Sequence, residues 1–93
     1  MRVRFTRLAL QDIDDAYDFI AHDSPQNADL VIERIERSVD TILAQPAIGR
    51  PGRITGTREF IVARTPYILV YRERRSELQI LTVLHTSRKY PAA

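Results

Sequence analysis

Two apolar runs on either side of Pro66 constrain the fold of this chain more than any other feature. The runs are Phe60 to Ala63 and Tyr67 to Tyr71, and both are rich in the β-branched and aromatic residues that favour strands. Proline has no backbone N–H to donate to a sheet, so the corner between the runs must lie at Arg64 to Pro66. The two runs are therefore predicted to form a β-hairpin.

The stretch before this hairpin is a turn-rich loop with several arginines. It contains all three glycines of the chain, Gly49, Gly52 and Gly56, and it places Arg50 and Arg53 on flexible backbone. Loops that are positioned by rigid strands often carry binding and catalytic residues. We therefore expect function to lie beside this loop and the hairpin.

Two segments of helical periodicity precede the loop. The first runs from Arg7 to His22, and Thr6 is suited to cap it. The second starts with Ser24 as N-cap and Pro25 at the first helical position, where the missing N–H costs nothing. It should end near Gln45, because a proline follows and disfavours helical geometry in the residue before it. The short link predicts an antiparallel helical hairpin.

The apolar seam of this hairpin must cover a sheet. We expect Leu30 to lie outside this seam and to be exposed. The aspartates of the first helix, including Asp12, Asp14 and Asp18, are expected to form a solvated face. The predicted core comprises Ile13, Tyr17, Ile20, Ile35, Val39, Ile42, Phe60, Leu69, Leu81 and Val83.

The remaining segments complete the sheet. Residues Arg2 to Phe5 alternate as a short half-buried strand, and Thr57 to Arg64 form the first strand of the hairpin. The segment Tyr67 to Arg72 is apolar on both faces and should be central. After a charged turn at Glu73 to Ser76, Glu77 to Leu84 form a last, buried strand. The prediction is one α+β domain, residues 1–93, of order β-α-α-β-β-β, with the helical hairpin packed on a mainly antiparallel four-stranded sheet.

Composition narrows the class of protein. The chain has no cysteine, so neither disulfides nor a thiolate zinc site can supplement the core. It has no apolar stretch approaching the ~18 residues that would indicate a membrane span and no targeting segment. We expect a soluble cytoplasmic protein, with no membrane association and with neither a metal nor another cofactor.

Charge is divided unevenly along the chain. Residues 1–49 carry five arginines against nine acidic residues, a net charge of −4, whereas residues 50–93 carry nine basic residues against three acidic ones, a net charge of +6. Thirteen of the fourteen basic residues are arginine, whose planar fork binds phosphate and carboxylate in pairs. The basic half indicates either a solvated surface or a face for an acidic partner or nucleic acid.

The order and spacing of short motifs resemble those of the RelE/ParE family of toxins from bacterial type II toxin–antitoxin modules, over nearly the whole chain. The motifs are Pro46-x-x-Gly49-Arg50-Pro51-Gly52, Gly56-Thr57-Arg58-Glu59, Thr65-Pro66-Tyr67-x-x-x-Tyr71-Arg72 and Ile80-Leu81-x-Val83-Leu84-His85-x-x-Arg88. The resemblance implies a small cytoplasmic toxin that is neutralised by a cognate antitoxin of the ParD/RelB kind. Operator DNA would be bound only through that antitoxin.

The family implies two alternative activities. RelE-like members are metal-independent, ribosome-dependent mRNA endoribonucleases, which need a base, a phosphate clamp and an acid. The candidates here are His85, Arg88 and Tyr90, with Lys89 beside them. RelE-like toxins tend to carry an arginine where this chain has Ile68, so one expected clamp is missing.

ParE-like members inhibit DNA gyrase without hydrolytic residues, and this is the activity that we favour over RNA cleavage on the ribosome. The arginine-rich end would then be a target-binding surface. Its candidates are Arg50, Arg53, Arg58, Arg64, Arg72, Arg88 and Lys89. A third alternative is an inactive toxin that acts only in the antitoxin complex and in regulation of its operon.

An acidic, amphipathic antitoxin tail is expected to lay a helix along the hairpin and to add a strand to a sheet edge. The rim of a groove between the two helices would carry acidic side chains, and nearby arginines would meet the acidic tail. The predicted antitoxin-binding residues are Arg2, Arg4, Asp14, Asp18, Leu30, Arg37, Arg58 and Arg64.

Overall fold

Two capped helices form the hairpin in the computed structural model, which describes residues 1–87 of the chain. Helix α1 spans Arg7–Ala21 and begins where the Thr6 hydroxyl accepts a hydrogen bond from the backbone N–H of Ala9 (3.0 Å). Helix α2 spans Pro25–Ala44 and is capped by Ser24. Both predicted caps are confirmed. No helix within residues 1–87 has the length and apolar character needed to cross a membrane.

The sheet lies against one side of this hairpin. Its strands are β1 (Arg2–Phe5), β2 (Arg50–Pro51), β3 (Arg58–Ile61), β4 (Tyr67–Arg74) and β5 (Glu77–His85), in the spatial order β1-β5-β4-β3-β2. Strand β1 runs parallel to β5, and every other neighbouring pair is antiparallel. The predicted α+β class and the central position of the Tyr67 strand are confirmed.

The sheet has five strands where the sequence predicted four. The additional strand β2 places Arg50 opposite Glu59 and Pro51 opposite Arg58. A two-residue strand that ends in proline has no hydrophobic period that could distinguish it from a loop. Only its pairing with β3 defines it as a strand.

The corner at Pro66 shortens the strand before it. Strand β3 ends at Ile61 and not at Arg64, because the Thr65 backbone N–H and hydroxyl both donate to the carbonyl of Val62 (3.2 and 2.9 Å). Arg64 adopts a left-handed conformation with φ of 62°, which few residues other than glycine adopt. A local turn therefore replaces the last three residues of the predicted strand.

The connection between β4 and β5 is tighter than the predicted turn at Glu73 to Ser76. Strand β4 continues to Arg74, so only Arg75 and Ser76 lie between the strands, with φ values of 54° and 61°. Two positive φ angles match the two-residue turns that suit the twist of a hairpin. Pairing therefore extends to the ends of both strands.

The core lies between the hairpin and one face of the sheet. Tyr67, Leu69 and Tyr71 project from β4 toward the helices. Most of the predicted core is confirmed: Ile35, Val39, Ile42, Leu69 and Val83 are buried, and Ile13, Ile20 and Phe60 are partly buried and pack against them.

Tyr17 and Leu81 are not part of this core, so their predicted burial there is wrong. Both are half-buried. The Tyr17 hydroxyl donates to Asp29 (3.0 Å) across the two helices, so the ring lies near the surface. A register shift opposite Val70 and Tyr71 inserts Leu81 as an extra residue into β5. Such a bulge changes the face to which the following side chains point.

Asp12 is another exception, because it does not belong to a solvated acidic face. Its carboxylate accepts a hydrogen bond from the backbone N–H of Val83 (3.0 Å) and another from the hydroxyl of Thr82. Strand β1 pairs with β5 only as far as Ile80, and the Thr6 hydroxyl donates to the next carbonyl, that of Leu81 (2.7 Å). Side chains of α1 and its cap thus complete the edge of β5 where β1 ends.

Replacing Ile35 by alanine tests the packing of the hairpin. Ile35 is 2% exposed in the core, so Ile35→Ala should lower the free energy of unfolding by about 2–5 kcal/mol. Chemical denaturation would measure the change, and Leu8→Ala on the exposed side of α1 is the control, with an expected change within about 0.5 kcal/mol. Equal effects of the two substitutions would contradict this packing.

Candidate functional site

The hydroxyl of Tyr71 fixes the turn that leads into the basic loop. It donates to the carbonyl of Pro46 (2.7 Å) and accepts from the backbone N–H of Gly49 (2.9 Å). Burial raises the pKa of the Tyr71 phenol above its ordinary value of 10.0, so the hydroxyl keeps its proton at neutral pH. A Cβ atom at Gly49 would lie 2.6 Å from the Tyr71 oxygen, and a larger residue there would displace the tyrosine.

Arg58 supports the same turn from β3. Its guanidinium donates to the carbonyls of Ala47 (3.3 Å) and Gly49 (2.8 Å). These bonds satisfy carbonyls close to the C-terminal end of α2. Arg58 was predicted to contact a target or the antitoxin, and the structure shows that its guanidinium is engaged within the chain.

A buried carboxylate holds the basic loop against the sheet. The side chain of Glu59 is 1% exposed, and it accepts from Arg50 Nη2 (3.3 Å) and from the backbone N–H of Arg53 (3.0 Å). The Arg53 Nε atom lies 3.6 Å from the same carboxyl group. Both arginine side chains are about half exposed. Glu59 thus fixes two target-binding candidates while they remain accessible.

A chain of polar contacts crosses β1, β5 and β4. The Arg4 Nε atom lies 3.2 Å from Glu77 Oε1, and the Gln79 amide donates to the same oxygen (2.8 Å). The Gln79 oxygen in turn accepts from Arg72 Nε (2.7 Å). Arg72, a candidate for target binding, and Arg4, a candidate for antitoxin binding, therefore belong to one network.

This network and the Glu59 cluster share the sheet face opposite the helices, which we call the outer face. Residues paired directly across strands project to the same side, and side chains alternate along each strand. Because Tyr71 faces the helices, Arg72 and its partner Gln79 face outward, as do Glu59 and its partner Arg50. The outer face therefore carries Arg4, Arg50 and Arg72.

His85 lies on the other side of the sheet. It pairs with Tyr67, and the two rings make an edge-to-face contact with centroids 5.3 Å apart. Its Nδ1 atom accepts from the backbone N–H of Ser87 (3.2 Å) and lies 2.7 Å from the Ser87 hydroxyl. The proton of a neutral His85 ring is therefore on Nε2.

The remaining sequence-predicted residues are dispersed. Arg37 pairs with Glu33 on α2 (2.7 Å), and Arg64 lies at the corner before Pro66, where its carbonyl accepts from Arg34 (3.3 Å). Arg2, Asp14, Asp18 and Leu30 are exposed on β1, α1 and α2. Arg88, Lys89 and Tyr90 lie outside the described residues. Within residues 1–87, no group of histidine or acidic side chains could hold a metal ion.

Sequence reasoning missed the contributions of Gln79, of Arg34 and of the Tyr71 hydroxyl. These depend on cross-strand register and on how α2 packs, which no local pattern encodes. Glu59 could have been identified from the sequence, because it is the only acidic residue between Arg50 and Arg72. A single carboxylate among arginines, on a strand, indicates a buried anchor.

Replacing Glu59 by glutamine tests this anchor. The substitution keeps an acceptor oxygen but removes the charge and presents an amide NH₂ to the arginines, so stability should fall by about 1–3 kcal/mol. Amide hydrogen exchange at Arg53 should become faster, because its N–H bonds to the replaced carboxylate. Glu73→Gln, at an exposed position on β4, is the control, and unchanged exchange at Arg53 in Glu59→Gln would refute the anchor.

Glu77 provides a pH-dependent test of the polar network. The hydrogen bond from Gln79 lowers the pKa of Glu77 below its ordinary value of 4.5, and the charges of Arg4 and Arg2 act in the same direction. A lowered folded-state pKa contributes stability that is present above the unfolded-state pKa and is lost as pH falls through the folded-state value. Carboxyl NMR titration should show the lowered pKa, and Gln79→Ala should raise it; an unchanged titration in that variant would contradict the network.

Comparison with known proteins agrees with this fold. A family model described as the ParE toxin of the type II toxin–antitoxin system parDE matches residues 3–90. A relative named "Putative toxin Y4kP", from Sinorhizobium fredii, is 43% identical over 90 residues, which cover 97% of this chain and 93% of that protein.

Solved structures give the same result. A chain from the chromosomal ParDE system of P. aeruginosa superposes with a TM-score of 0.83 and 28% identity, covering 94% of this chain and 97% of that one. A chain of the toxin–antitoxin complex RelBE2 from Mycobacterium tuberculosis superposes with a TM-score of 0.59 and 27% identity, covering 90% of this chain and 95% of that one. YafQ from E. coli, at 0.59 and 14% identity over 94% and 96% of the two chains, shares the fold. With a family model matching almost its whole length, the chain belongs to the ParE family of toxins from type II toxin–antitoxin systems.

Proposed function

We propose that this toxin acts in the cytoplasm by binding and inhibiting DNA gyrase, through arginines of the outer face, and that it does not cut mRNA. The observation that carries the proposal is Ile68. RelE-like toxins tend to have an arginine at this position, whereas here the side chain is 3% exposed within β4. A buried isoleucine can neither bind a phosphate nor be replaced by a charged side chain without a large cost.

The arrangement of the outer face supports a binding role. Arg50 and Arg53 are fixed by Glu59, and Arg72 is fixed by Gln79. Guanidinium groups that are already held in place lose little conformational freedom when they bind a partner. Fixed, partly exposed arginines suit a protein surface that recognises acidic groups.

RNA cleavage is the second candidate, and one observation favours it. His85 lines a groove on the helix side together with Arg34 and Arg64, so a base and cations share one depression. However, a base and a clamp must act on the same ribose and phosphate, and His85 is separated by the sheet from Arg50 and Arg72. The outer-face arginines therefore have no part in such a reaction.

The neutralising partner is an antitoxin, as the toxin–antitoxin family implies. The edge strands β1 and β2 contain four and two residues, which offers few backbone groups for an added strand. We propose that grooves beside α2 contribute more to antitoxin binding than the sheet edges do. Acidic segments of the antitoxin would meet Arg37 and Arg64, and Leu30 would contact its apolar residues.

The experiment compares two assays on purified toxin, gyrase supercoiling and cleavage of mRNA on programmed ribosomes. Wild type should inhibit supercoiling, and Arg72→Gln should weaken inhibition in a salt-sensitive way, because it removes one charge from the outer face. The matched control is Arg7→Gln, which removes a charge at the exposed start of α1, in the helical layer and away from the outer face. His85→Ala should inhibit gyrase as wild type does.

Reproducible cuts on ribosomes would overturn the proposal if His85→Ala or Arg88→Ala abolished them. Loss of a catalytic base or clamp lowers cleavage about 100-fold or more, a far larger effect than the loss of one surface charge. A wild type that is inert in both assays but binds antitoxin would instead identify an inactive toxin that acts only in complex.

A further inference from the structure

Strand register gathers four arginines into one part of the outer face. We call this group the arginine patch: Arg2 and Arg4 on β1, and Arg72 and Arg74 on β4. Strand β5 lies between these two strands, and there Glu77 and Gln79 each pair with one arginine of β1 and one of β4. Because paired residues project to the same side of a sheet, as do residues two apart along a strand, all four arginines point outward together.

The strands give the arginine patch a regular spacing. Side chains two residues apart on one strand are about 7 Å apart, and two strands that are separated by a third lie about 10 Å apart. The four arginines therefore originate from the corners of a rectangle. Duplex DNA carries one negative charge per about 1.7 Å of its axis, so such a rectangle can contact several phosphates of one duplex at the same time.

The arginines are held in a way that leaves suitable donors for a phosphate. Arg4 Nε lies 3.2 Å from Glu77 Oε1, and Arg72 Nε donates to the Gln79 oxygen (2.7 Å). A guanidinium has five N–H donors, so these two contacts leave the terminal amino groups to pair with the oxygens of a phosphate. The other two arginines of the patch are exposed. Side chains that are already held lose little conformational freedom on binding.

The carboxylates of the outer face do not cancel its positive charge. Glu77 lies among the four arginines of the patch, and Glu59 is 1% exposed and already bonded to Arg50 and to the backbone of Arg53. Within residues 1–87, the strands and the basic loop thus place six arginines and two carboxylates on this face. The whole chain has a net charge of only +2, so an anionic partner is attracted to this side of the molecule.

The composition of the patch distinguishes between kinds of anionic partner. Protein interfaces depend on apolar and aromatic side chains at their centre, and neither the four arginines nor the two β5 residues between them are of that kind. Interfaces with duplex DNA are polar and strongly positive, and most of their hydrogen bonds go to phosphate and sugar. Single-stranded nucleic acid fits less well, because its bases stack on aromatic rings, and Tyr67 and Tyr71 of β4 face the helices.

We propose that the arginine patch binds the phosphate backbone of duplex DNA without regard to its sequence. Reading a sequence needs side chains that hydrogen-bond to base edges. Gln79, which carries the amide among these residues, is 7% exposed and bonded to both Arg72 and Glu77, so it does not reach a base. Identifying the duplex as the DNA on which gyrase acts rests on the function proposed above, whereas the binding itself does not.

Fluorescence anisotropy with the full chain would test this binding. The probes are two short labelled DNA duplexes of unrelated sequence, a single strand of the same length and a polyglutamate peptide. The two duplexes should bind with equal affinity, and more tightly than the single strand or the peptide. The logarithm of their affinity should fall with the logarithm of the salt concentration with a slope of about −3 to −4, which corresponds to one phosphate contact for each arginine of the patch.

Paired substitutions identify the site. Arg2→Gln with Arg74→Gln removes two charges at exposed positions of the patch, so it should reduce the salt slope by about 2 and weaken binding of the duplex about tenfold at low salt. Arg74→Gln alone should reduce the slope by about 1. The control, Arg7→Gln with Arg37→Gln, removes the same charge from exposed positions of the helical layer and should bind DNA as wild type does.

Equal affinities of the patch and control variants for DNA would overturn the proposal. Tighter binding of polyglutamate or of the single strand than of the duplexes would also overturn it. The supercoiling assay separates this inference from the proposed function. A wild type that binds DNA through the patch but does not inhibit gyrase would refute gyrase inhibition alone, whereas one that inhibits gyrase without binding DNA would refute the DNA site alone.

Discussion

The buried hydroxyl of Tyr71 is the interaction on which the basic half of the molecule depends. It joins the central strand to the turn after α2, through bonds to Pro46 and Gly49. That turn determines where β2 starts, and β2 brings Arg50 to Glu59. Without the tyrosine oxygen, the Pro46 carbonyl and the Gly49 N–H would lose this partner. The start of the basic loop would then no longer be held against the central strand. One phenol thus links the helical layer to the surface arginines.

Features governed by neighbouring residues could be predicted from the sequence. Pro66 located the corner, and Ser24 with Pro25 located the start of α2, because proline geometry and capping act within a few residues. Features that depend on pairing between distant strands could not. The bulge at Leu81 lies in the pairing of β4 with β5, and Asp12 bonds to β5 beyond the last residue that pairs with β1. No single strand's sequence contains that information.

The same distinction between local features and strand pairing applies to the candidate site. The arginines of the basic half were identified by composition, but composition could not assign them to faces of the sheet. Register places Arg72 on the outer face, whereas Arg64 lines a depression beside α2 on the helix side of the sheet. The sequence predicted one basic surface, and the structure has two, separated by the sheet.

The parallel pairing of β1 with β5 has a consequence for how the toxin is made. The hydroxyl of Thr6 bonds to a carbonyl 75 residues away, and β1 pairs with no other strand in the described part of the chain. During synthesis β1 therefore cannot pair until β5 has left the ribosome, and pairings between such distant segments form slowly. A truncated translation product would contain the helical hairpin without a closed sheet, so the folded toxin exists only once nearly the whole chain has been translated.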